Sequence, residues 1–489
     1  MAVQQSQTVE QPWRPLPEGE VDWLPLLPPA ARQVLDCSGV EDDLAARFAM
    51  VQPRSRWQRC DELRRAGDAI ARADVVLYRH RLAQQDPAIV LGHHVPQLRP
   101  TATIMASFPA SFDQPTLQRM LKRAHLTWAR IDRVSGDARH GWIVRAGRSP
   151  EAPQPLLIQT MIMAPEACQY VRVLEPDRAS ATIPGVRTVS ALRTAKLSAA
   201  LAGETRVFIF QRAIQDPLRD EASFDKLAKA GFLIVAEYDD LPSRWPGNVK
   251  ADYFCLRAAH AVQTSTQTLA EWIGQHNPYV EVFENQLAYL PPPRTDLDDP
   301  LQPVRVFFGA LNRQEDWAPL REPINAALRL AGGRAHVEVI HDRAFFDALD
   351  TPHKTFTPLC DYQQYHAVLR RCHVALLPLS DTPFNRCKSD LKFLEAAGHS
   401  VAALASPTVY EGSIEPGRTG ILCRTAGEFG SSLQRLIDDA PLRQSLGKAA
   451  RQWVAQHRLL ADHYTKRAAW YRQLAARRDE LEAARRRRL

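Results

Sequence analysis

Short apolar runs alternate with stretches of helical periodicity along most of this chain, and no other feature restricts its fold as much. The runs "ADVVLY", "TATIMASF", "RVFIF", "FLIVAEY", "VRVFFGAL" and "VALLPL" each read as a strand, with helical sequence between them. Repeated strand–helix order calls for parallel sheets covered by helices, hence an α/β fold. Two Pro-containing interruptions, "HGWIVRAGRSPEAPQP" (140–155) and "YLPPPRTDLDDPLQP" (289–303), read as linkers. They leave blocks at 25–140, 152–295 and 303–460. A polar, Pro-rich N-terminus over 1–24 is expected to be disordered, and a C-terminal helix with a basic tail occupies 461–489. A length of 489 residues fits three domains of roughly 150 residues each.

Composition excludes several classes. Hydrophobic content of 45% and charge of 24% are those of a soluble globular protein. No run of 18 or more apolar residues occurs, so no membrane span is expected. The start, "MAVQQSQTVEQPW", lacks the basic-then-apolar order of a secretory signal. The eight cysteines (37, 60, 168, 255, 360, 372, 387, 423) form no CxxC. They read as reduced thiols of a cytoplasmic protein, with neither a disulfide framework nor a metal site. Much of the net charge of +7 sits in "RRDELEAARRRRL". That segment reads either as a solvated helix end or as a contact with a polyanion or an anionic membrane surface, peripheral at its inner face. The 55 acidic residues are interspersed elsewhere, which favours the solvated helix end, and no nucleic-acid partner is expected.

In open α/β sheets ligands bind beyond the carboxyl ends of the strands. The segment after "VALLPL" lies there: "DTPFNRCKSDLKFLEAAGHSVAALAS" (381–406) crowds Arg386, Lys388, Asp390, Lys392 and Glu395 between two strands. The spacing places a short helix on "DLKFLEAAG", with Ser389 or Asp390 as N-cap and Gly398 as C-cap. A helix N-terminus beside Arg386 and Lys388 makes an anion site. Glu395, with Lys392 at i−3 on the same face, could accept from a sugar diol. Phosphate plus polyol describes a nucleotide or nucleotide sugar; a capped surface helix with a Lys–Glu pair is the plainer alternative. In the middle block Gln211 and Arg212 follow "RVFIF", and Asp239 and Asp240 follow "FLIVAEY". The two aspartates are candidates to position or deprotonate an acceptor, or simply turn formers before Leu241–Pro242.

From 155 to about 470 the chain resembles the GT-B glycosyltransferases of the group 1 type. "KSDLKFLEAAGHSVAALASPTVYEGSIEPGRTGILC" (388–423) resembles their donor-site signature, and "RVFFGALNRQEDW" (305–317) their donor-domain entry. "IVAEYDDLP", "ADYFCLRAAHAVQTSTQTLAEWI", "VEVFENQ" and "ACQYVRVLEPDRAS" (167–180) resemble the other half, ending at Asn285 before the linker. The resemblance implies two Rossmann-like domains facing a cleft, and a nucleotide-sugar donor (UDP-, GDP- or dTDP-sugar). It implies a glycan, lipid-linked or protein acceptor, retention at the anomeric carbon and no required metal. Glu395 matches the residue that holds the ribose; Arg313 and Lys388 would meet the diphosphate, with Ser389, Arg386, Lys392 and Asn385 completing the donor side. Arg313, Lys388 and Asp239 are the implied catalytic set. Tyr170, Arg172, Gln211, Arg212 and Asp240 form the implied acceptor side, with Arg172 reaching the diphosphate or pairing with Glu175. Many members carry a second Glu eight residues before the ribose-binding one, where this chain has Cys387.

Block 25–140 is similar instead to class I S-adenosylmethionine methyltransferases, through "RQVLDCSGVEDDLAARF" and "ADVVLYRHRLAQQDPAIVLGHHVPQLRPTATIMASFP". Their Gly-rich cofactor turn is reduced to one glycine, Gly39, among Cys37, Ser38, Val40 and Glu41. The expectation is therefore a scaffold or self-association domain that binds no S-adenosylmethionine. The whole reads as a bacterial-type cytoplasmic glycosyltransferase of polysaccharide or glycoprotein synthesis. A nucleotide-sugar-binding subunit without turnover, or a bifunctional methyl- and glycosyltransferase, are the alternatives.

Overall fold

A computed structural model describes residue 12 and residues 21–62, 67–134, 141–149, 151–165, 167–194, 197–198, 201–294 and 302–489. Most of the 1–24 segment, and residues 295–301 of the second linker, lie outside the described residues. The strands form three six-stranded sheets.

The first sheet holds β1 (Gln33–Asp36), β2 (Arg56–Arg59), β3 (Val75–Arg79), β4 (Thr103–Phe108), β5 (Trp128–Arg133) and β6 (Trp142–Gly147), in the order β2-β1-β3-β4-β6-β5. All pairs are parallel except those of β6, which runs antiparallel to β4 and β5. The stretch 140–155 is thus not all linker. "WIVRAG" is an inner strand, held because Ile143, Val144 and Ala146 are buried against the sheet's neighbours.

The second sheet holds β7 (Leu156–Ile162), β8 (Val186–Leu192), β9 (Thr205–Gln211), β10 (Phe232–Tyr238), β11 (Ala261–Thr264) and β12 (Val280–Val282), ordered β12-β11-β10-β9-β7-β8. The third holds β13 (Val304–Gly309), β14 (Ala335–Ile340), β15 (Lys354–Thr357), β16 (Val374–Leu377), β17 (Ala402–Ala405) and β18 (Ile421–Leu422), ordered β15-β14-β13-β16-β17-β18. Both are parallel throughout. Their inner strands, such as "FLIVAEY", are buried along their whole length because helices cover both faces. The α/β class and the three Rossmann-like units agree with expectation, two of them facing a cleft.

The chain crosses between the second and third units twice. After helix Ala440–His457 it returns, and helices Thr465–Ala476 and Arg478–Arg488 cover the second sheet. Ala468, Tyr471, Leu474 and Leu481 share a core with Leu156, Ile158, Val207 and Leu233. The basic tail is accordingly docked. Arg485 is buried against Glu482 and Asp225, and Arg488 donates to the carbonyls of Arg257 and Ala259. Arg486 also pairs with Glu482, so a membrane contact through this tail loses three of its four terminal arginines to partners within the chain. Among the described residues no helix is long and apolar enough to cross a membrane.

The first unit packs on both crossings. Trp23, Leu24, Leu44 and Phe48 share a cluster with Ala288, Tyr289, Leu460 and Tyr464. Leu290 N donates to Met50 O at 2.8 Å, and Arg32 and Arg54 both reach Asp462. Trp23 and Leu24, placed in the disordered N-terminus by composition, are buried here because their apolar area finds this seam. At the end of β1 the backbone turns at Gly39 (φ +70°), so the left-handed position falls on the glycine and not on the β-branched Val40. The turn is filled by Arg81, which donates to the carbonyls of Cys37, Cys60 and Asp61.

Candidate functional site

A cavity of about 490 Å³ lies between the second and third units. Its walls come from strand ends, as a doubly wound sheet requires. Arg212 follows β9, Asp239 and Asp240 follow β10, Arg313 lies in the loop after β13, and Lys388 lies between β16 and β17. The third sheet reverses its strand order between β13 and β16, and Gly309 ends β13 there. A Cβ at Gly309 would come within 2.5–2.9 Å of Phe307 and Tyr365, so only glycine lets the chain pass.

Helix Leu391–Gly398 forms one wall, with Leu391, Lys392 and Glu395 facing the cavity. Asp390 holds the N-cap position but does not cap. Its carboxylate turns to Arg458 (2.9 and 3.0 Å) and Ser413. Gly398 is the last helical residue and His399 the C-cap. The glycine leaves room for Leu287, whose Cδ1 would stand 2.7 Å from an added Cβ.

Glu395 is buried, and its Oε1 accepts from the Tyr362 hydroxyl at 3.0 Å. Burial, reinforced by Glu395, pushes the Tyr362 and Tyr365 hydroxyls well above the usual range, so both stay neutral donors. Lys392 does not pair with Glu395 as the i,i+3 spacing suggests; its Nζ donates to Gly309 O. Burial lowers the Lys392 ammonium below its ordinary value, opposed by Glu395 and helped by Arg313 and Lys388.

The charged residues form a ladder across the cleft. Arg212 Nε donates to Asp239 Oδ1 at 2.5 Å, and its NH2 lies 3.7 Å from Asp240 Oδ2. Lys388 Nζ donates to Asp240 Oδ1 at 3.0 Å and lies 4.2 Å from the centre of the Phe384 ring. Arg244 stacks on the same ring at 4.4 Å. Arg313 NH1 donates to Asp316 Oδ2 (3.1 Å) and Asn385 Oδ1 (3.0 Å). Burial alone would raise the Asp239 carboxyl, but Arg212 and Arg172 outweigh it and hold the group below the usual range. Burial pulls Lys388 down, with Asp240 opposing and Arg313 adding to the fall.

Of the residues named from sequence, Glu395, Lys388, Ser389, Arg313, Lys392, Asp239, Asp240 and Arg212 line the cavity. Five do not. Arg386 points to solvent in an ion pair with Asp381, because the short helix Pro383–Arg386 carries it outward. Asn385 is buried beneath the loop, donating to Asp316 Oδ1 (2.7 Å) and Ser380 O (3.0 Å), and holds Arg313 in place. Arg172 neither reaches the cleft nor pairs with Glu175. It is fully buried, bonded to Glu237 (2.8 Å) and to Phe283 O, Asn285 Oδ1 and Thr264 O. Gln211 is buried and its Oε1 accepts from Met163 N and Ala164 N at 3.1 Å. Tyr170 stacks on Tyr362 with ring centres 5.1 Å apart, beside the cavity and not in its wall. Cys387 packs as a core thiol among Met161, Phe254 and Leu256.

Arg244, Phe384, Tyr362 and His341 line the cavity without having been singled out. Only Phe384, inside the charged segment, carried a signal: an apolar ring flanked by polar loop residues. Among the described residues no cluster of three or more His, Cys, Asp or Glu is arranged to hold a metal ion.

Residues 318–473 match the family model described as Glycosyl transferase-like. That span takes in the helix Leu391–Gly398, Lys388 and Glu395, and covers less than half of the chain. No curated protein matches the chain. Among solved structures it is similar to TarM of S. aureus, at 10% identity and a TM-score of 0.42, over 54% of this chain and 55% of that one. It therefore spans about half the length of TarM. It is also similar to sucrose-phosphate synthase of Thermosynechococcus elongatus (16% identity, TM-score 0.48, 66% of this chain and 99% of that one). A third is Anabaena HepE, crystallised with UDP and glucose (12% identity, TM-score 0.45, 64% and 98%).

Proposed function

We propose that this chain is a glycosyltransferase of the GT-B type that moves a sugar from a nucleotide-sugar donor to a glycan, lipid-linked or protein acceptor, with retention as the resemblance implies. The observation that carries the reading is the joining, in one interdomain cavity, of a buried carboxylate at Glu395 with the cations Arg313 and Lys388. The first suits a ribose diol and the second a diphosphate. The family match over 318–473 supports the same half as the donor side.

In the reaction the bond from the anomeric carbon to the diphosphate oxygen breaks, and a bond to the acceptor oxygen forms. The electron pair leaves with the diphosphate, whose added charge is met by Lys388 and Arg313. Asn385 and Asp316 hold Arg313 in position, so little reorganisation accompanies charge development. As the new bond forms, the acceptor hydroxyl gives its proton to a carboxylate of the cleft. Asp239, held below its usual range by Arg212 and Arg172, is a weak base for it, and Asp240 is the other carboxylate that lines the cavity at the end of β10. The first unit serves as a buttress on the two crossings and binds no S-adenosylmethionine, since Arg81 fills the turn after β1.

A second reading, a donor-binding subunit without turnover, is favoured by one observation: the position eight residues before Glu395 holds Cys387, a thiol packed in the core, and not an acid. A panel of UDP-, GDP- and dTDP-sugars separates the readings, scored by thermal shift and by donor hydrolysis. Stabilisation with hydrolysis supports the transferase; stabilisation without hydrolysis or transfer supports the binding subunit; no stabilisation by any donor removes both.

A further inference from the structure

We infer that Asp240 is a displaceable counter-ion for Lys388, so that entry of the donor's diphosphate is an anion exchange that releases Asp240 to the acceptor side of the cleft. This rests on the donor-site reading above and adds to it an order of events.

The geometry separates Asp240 from the other acids of the site. Asp239 is held tightly by Arg212. Asp316 is buried and holds Arg313 together with Asn385, while also accepting from Ser380 N at 2.9 Å. Asp390 lies outside the cavity wall under Arg458. Asp240 has looser support. It accepts from Lys388 Nζ at 3.0 Å and from its own neighbour Leu241 N at 3.2 Å, and Arg212 stands off at 3.7 Å.

The contact also spans the cleft. Asp240 follows β10 of the second unit, and Lys388 precedes the site helix of the third. Among the described ion pairs lining the cavity, this one joins the two units. Lys388 is thus a cation with a single acid partner, and that partner belongs to the opposite wall. A phosphate oxygen approaching Lys388 competes for the same ammonium charge, which now faces the Asp240 carboxylate as its acid partner. Phe384 stays beneath the ammonium whichever anion holds it. Once displaced, Asp240 keeps Arg212 as a distant partner and faces the acceptor wall as a carboxylate.

Titration calorimetry on the full chain tests this, with inorganic pyrophosphate and with UDP, GDP and dTDP, using wild type, Asp240→Asn, Lys388→Ala and the double variant. Asparagine keeps the shape and removes the competing charge. Asp240→Asn should tighten pyrophosphate by about 10- to 100-fold, the size of one charge-assisted contact. The gain should vanish when Lys388 is already alanine. Unchanged or weaker binding by Asp240→Asn overturns the inference, as does a gain of equal size in the Lys388→Ala background. Nucleoside diphosphates that bind no better than pyrophosphate would refute the nucleotide reading while the tightening by Asp240→Asn still upheld the exchange. Failure of every variant to bind pyrophosphate or nucleotide overturns both. Asp240→Ser, with its unfolding midpoint checked, repeats the test should the asparagine variant misfold.

Discussion

Arg458 grips both carboxylate oxygens of Asp390, at 2.9 and 3.0 Å, and donates at the same time to the carbonyl of Asn285. One guanidinium therefore ties the start of the site helix to the end of the second unit and to the returning chain. A buried pair of this kind is worth little against an apolar substitute but much against its own half-removal. Arg458→Ala should cost about 3–5 kcal/mol of stability, because it leaves Asp390 buried and unpaired. Urea unfolding checks it, and a cost below about 1 kcal/mol would show that Asp390 finds water or another donor.

Arg172 makes the contrasting case. Sequence places it at the acceptor side, but its guanidinium satisfies Glu237 and three oxygens of the second unit. Arg172→Lys should behave nearly as badly as Arg172→Ala, since an ammonium cannot reproduce the planar fork. Both are expected to lower the thermal midpoint by several degrees or abolish soluble expression. A folded Arg172→Ala with only donor binding impaired would return the residue to the cleft.

Arg386 and Arg313 should separate cleanly. Arg386 is exposed and paired with Asp381, so Arg386→Ala should leave the unfolding midpoint and the nucleotide affinity unchanged. Arg313→Ala should weaken nucleoside diphosphate about 10- to 100-fold, the value of a charge-assisted contact, and leave the bare nucleoside little affected. Calorimetric titration of both ligands decides it; equal losses for the two ligands would place Arg313 away from the phosphates.

The C-terminal helix carries a pH dependence. His260 Nδ1 accepts from Ile234 N at 2.8 Å, and Nε2 faces Glu482 at 3.0 Å. Burial drives the His260 imidazole down to about 4 from its ordinary 6.5, against the pull of Glu482. Burial would raise Glu482, but Arg485, Arg486 and His260 outweigh it and bring the carboxyl to about 2. Both folded values lie below the unfolded ones, so the folded state binds fewer protons. Stability is full above pH 6.5 and is lost as pH falls, first through His260 and then through Glu482. Hydrogen exchange over Arg478–Arg488 should show protection at pH 7 that declines towards pH 4, after correction for intrinsic rates. His260→Asn should remove the upper part of that decline; a flat profile in wild type would contradict the assignment.

Glu175 should act in the opposite direction. Burial raises its carboxyl to about 7, with Glu395 adding to the rise and Arg178 opposing it. The folded state binds the proton more tightly than the unfolded one, so this group's contribution is whole below about pH 4.5 and lost as pH rises through 7. Glu175→Gln should therefore stabilise the protein at pH 8, by up to about 3 kcal/mol, and hardly at all at pH 4.5. Denaturant midpoints at the two pH values provide the check, and equal effects at both would refute the burial account.

Much of this protein was legible in its sequence because its dominant signals are local. Runs such as Phe232–Tyr238 and Val304–Gly309 read as buried strands from their apolar continuity alone, and the helix on 391–398 followed from its neighbours. The strand Trp142–Gly147 was hidden by the glycines and prolines around it. Its place depends on β4 and β5, which lie on either side in space but both precede it in the chain.

The sequence by itself determined the strand–helix order, the three units, and the loops that would carry charge to the strand ends. It did not determine which charge faces the cavity. Arg386 and Lys388 stand two residues apart, yet one meets solvent and Asp381 while the other meets Asp240, 148 positions away. Arg172 and Glu237, 65 positions apart, cancel each other in the core. Backbone propensity acts over a few residues, but a charge is placed by whichever partner the packed sheets bring within a few ångströms. That partner exists only after the chain has folded.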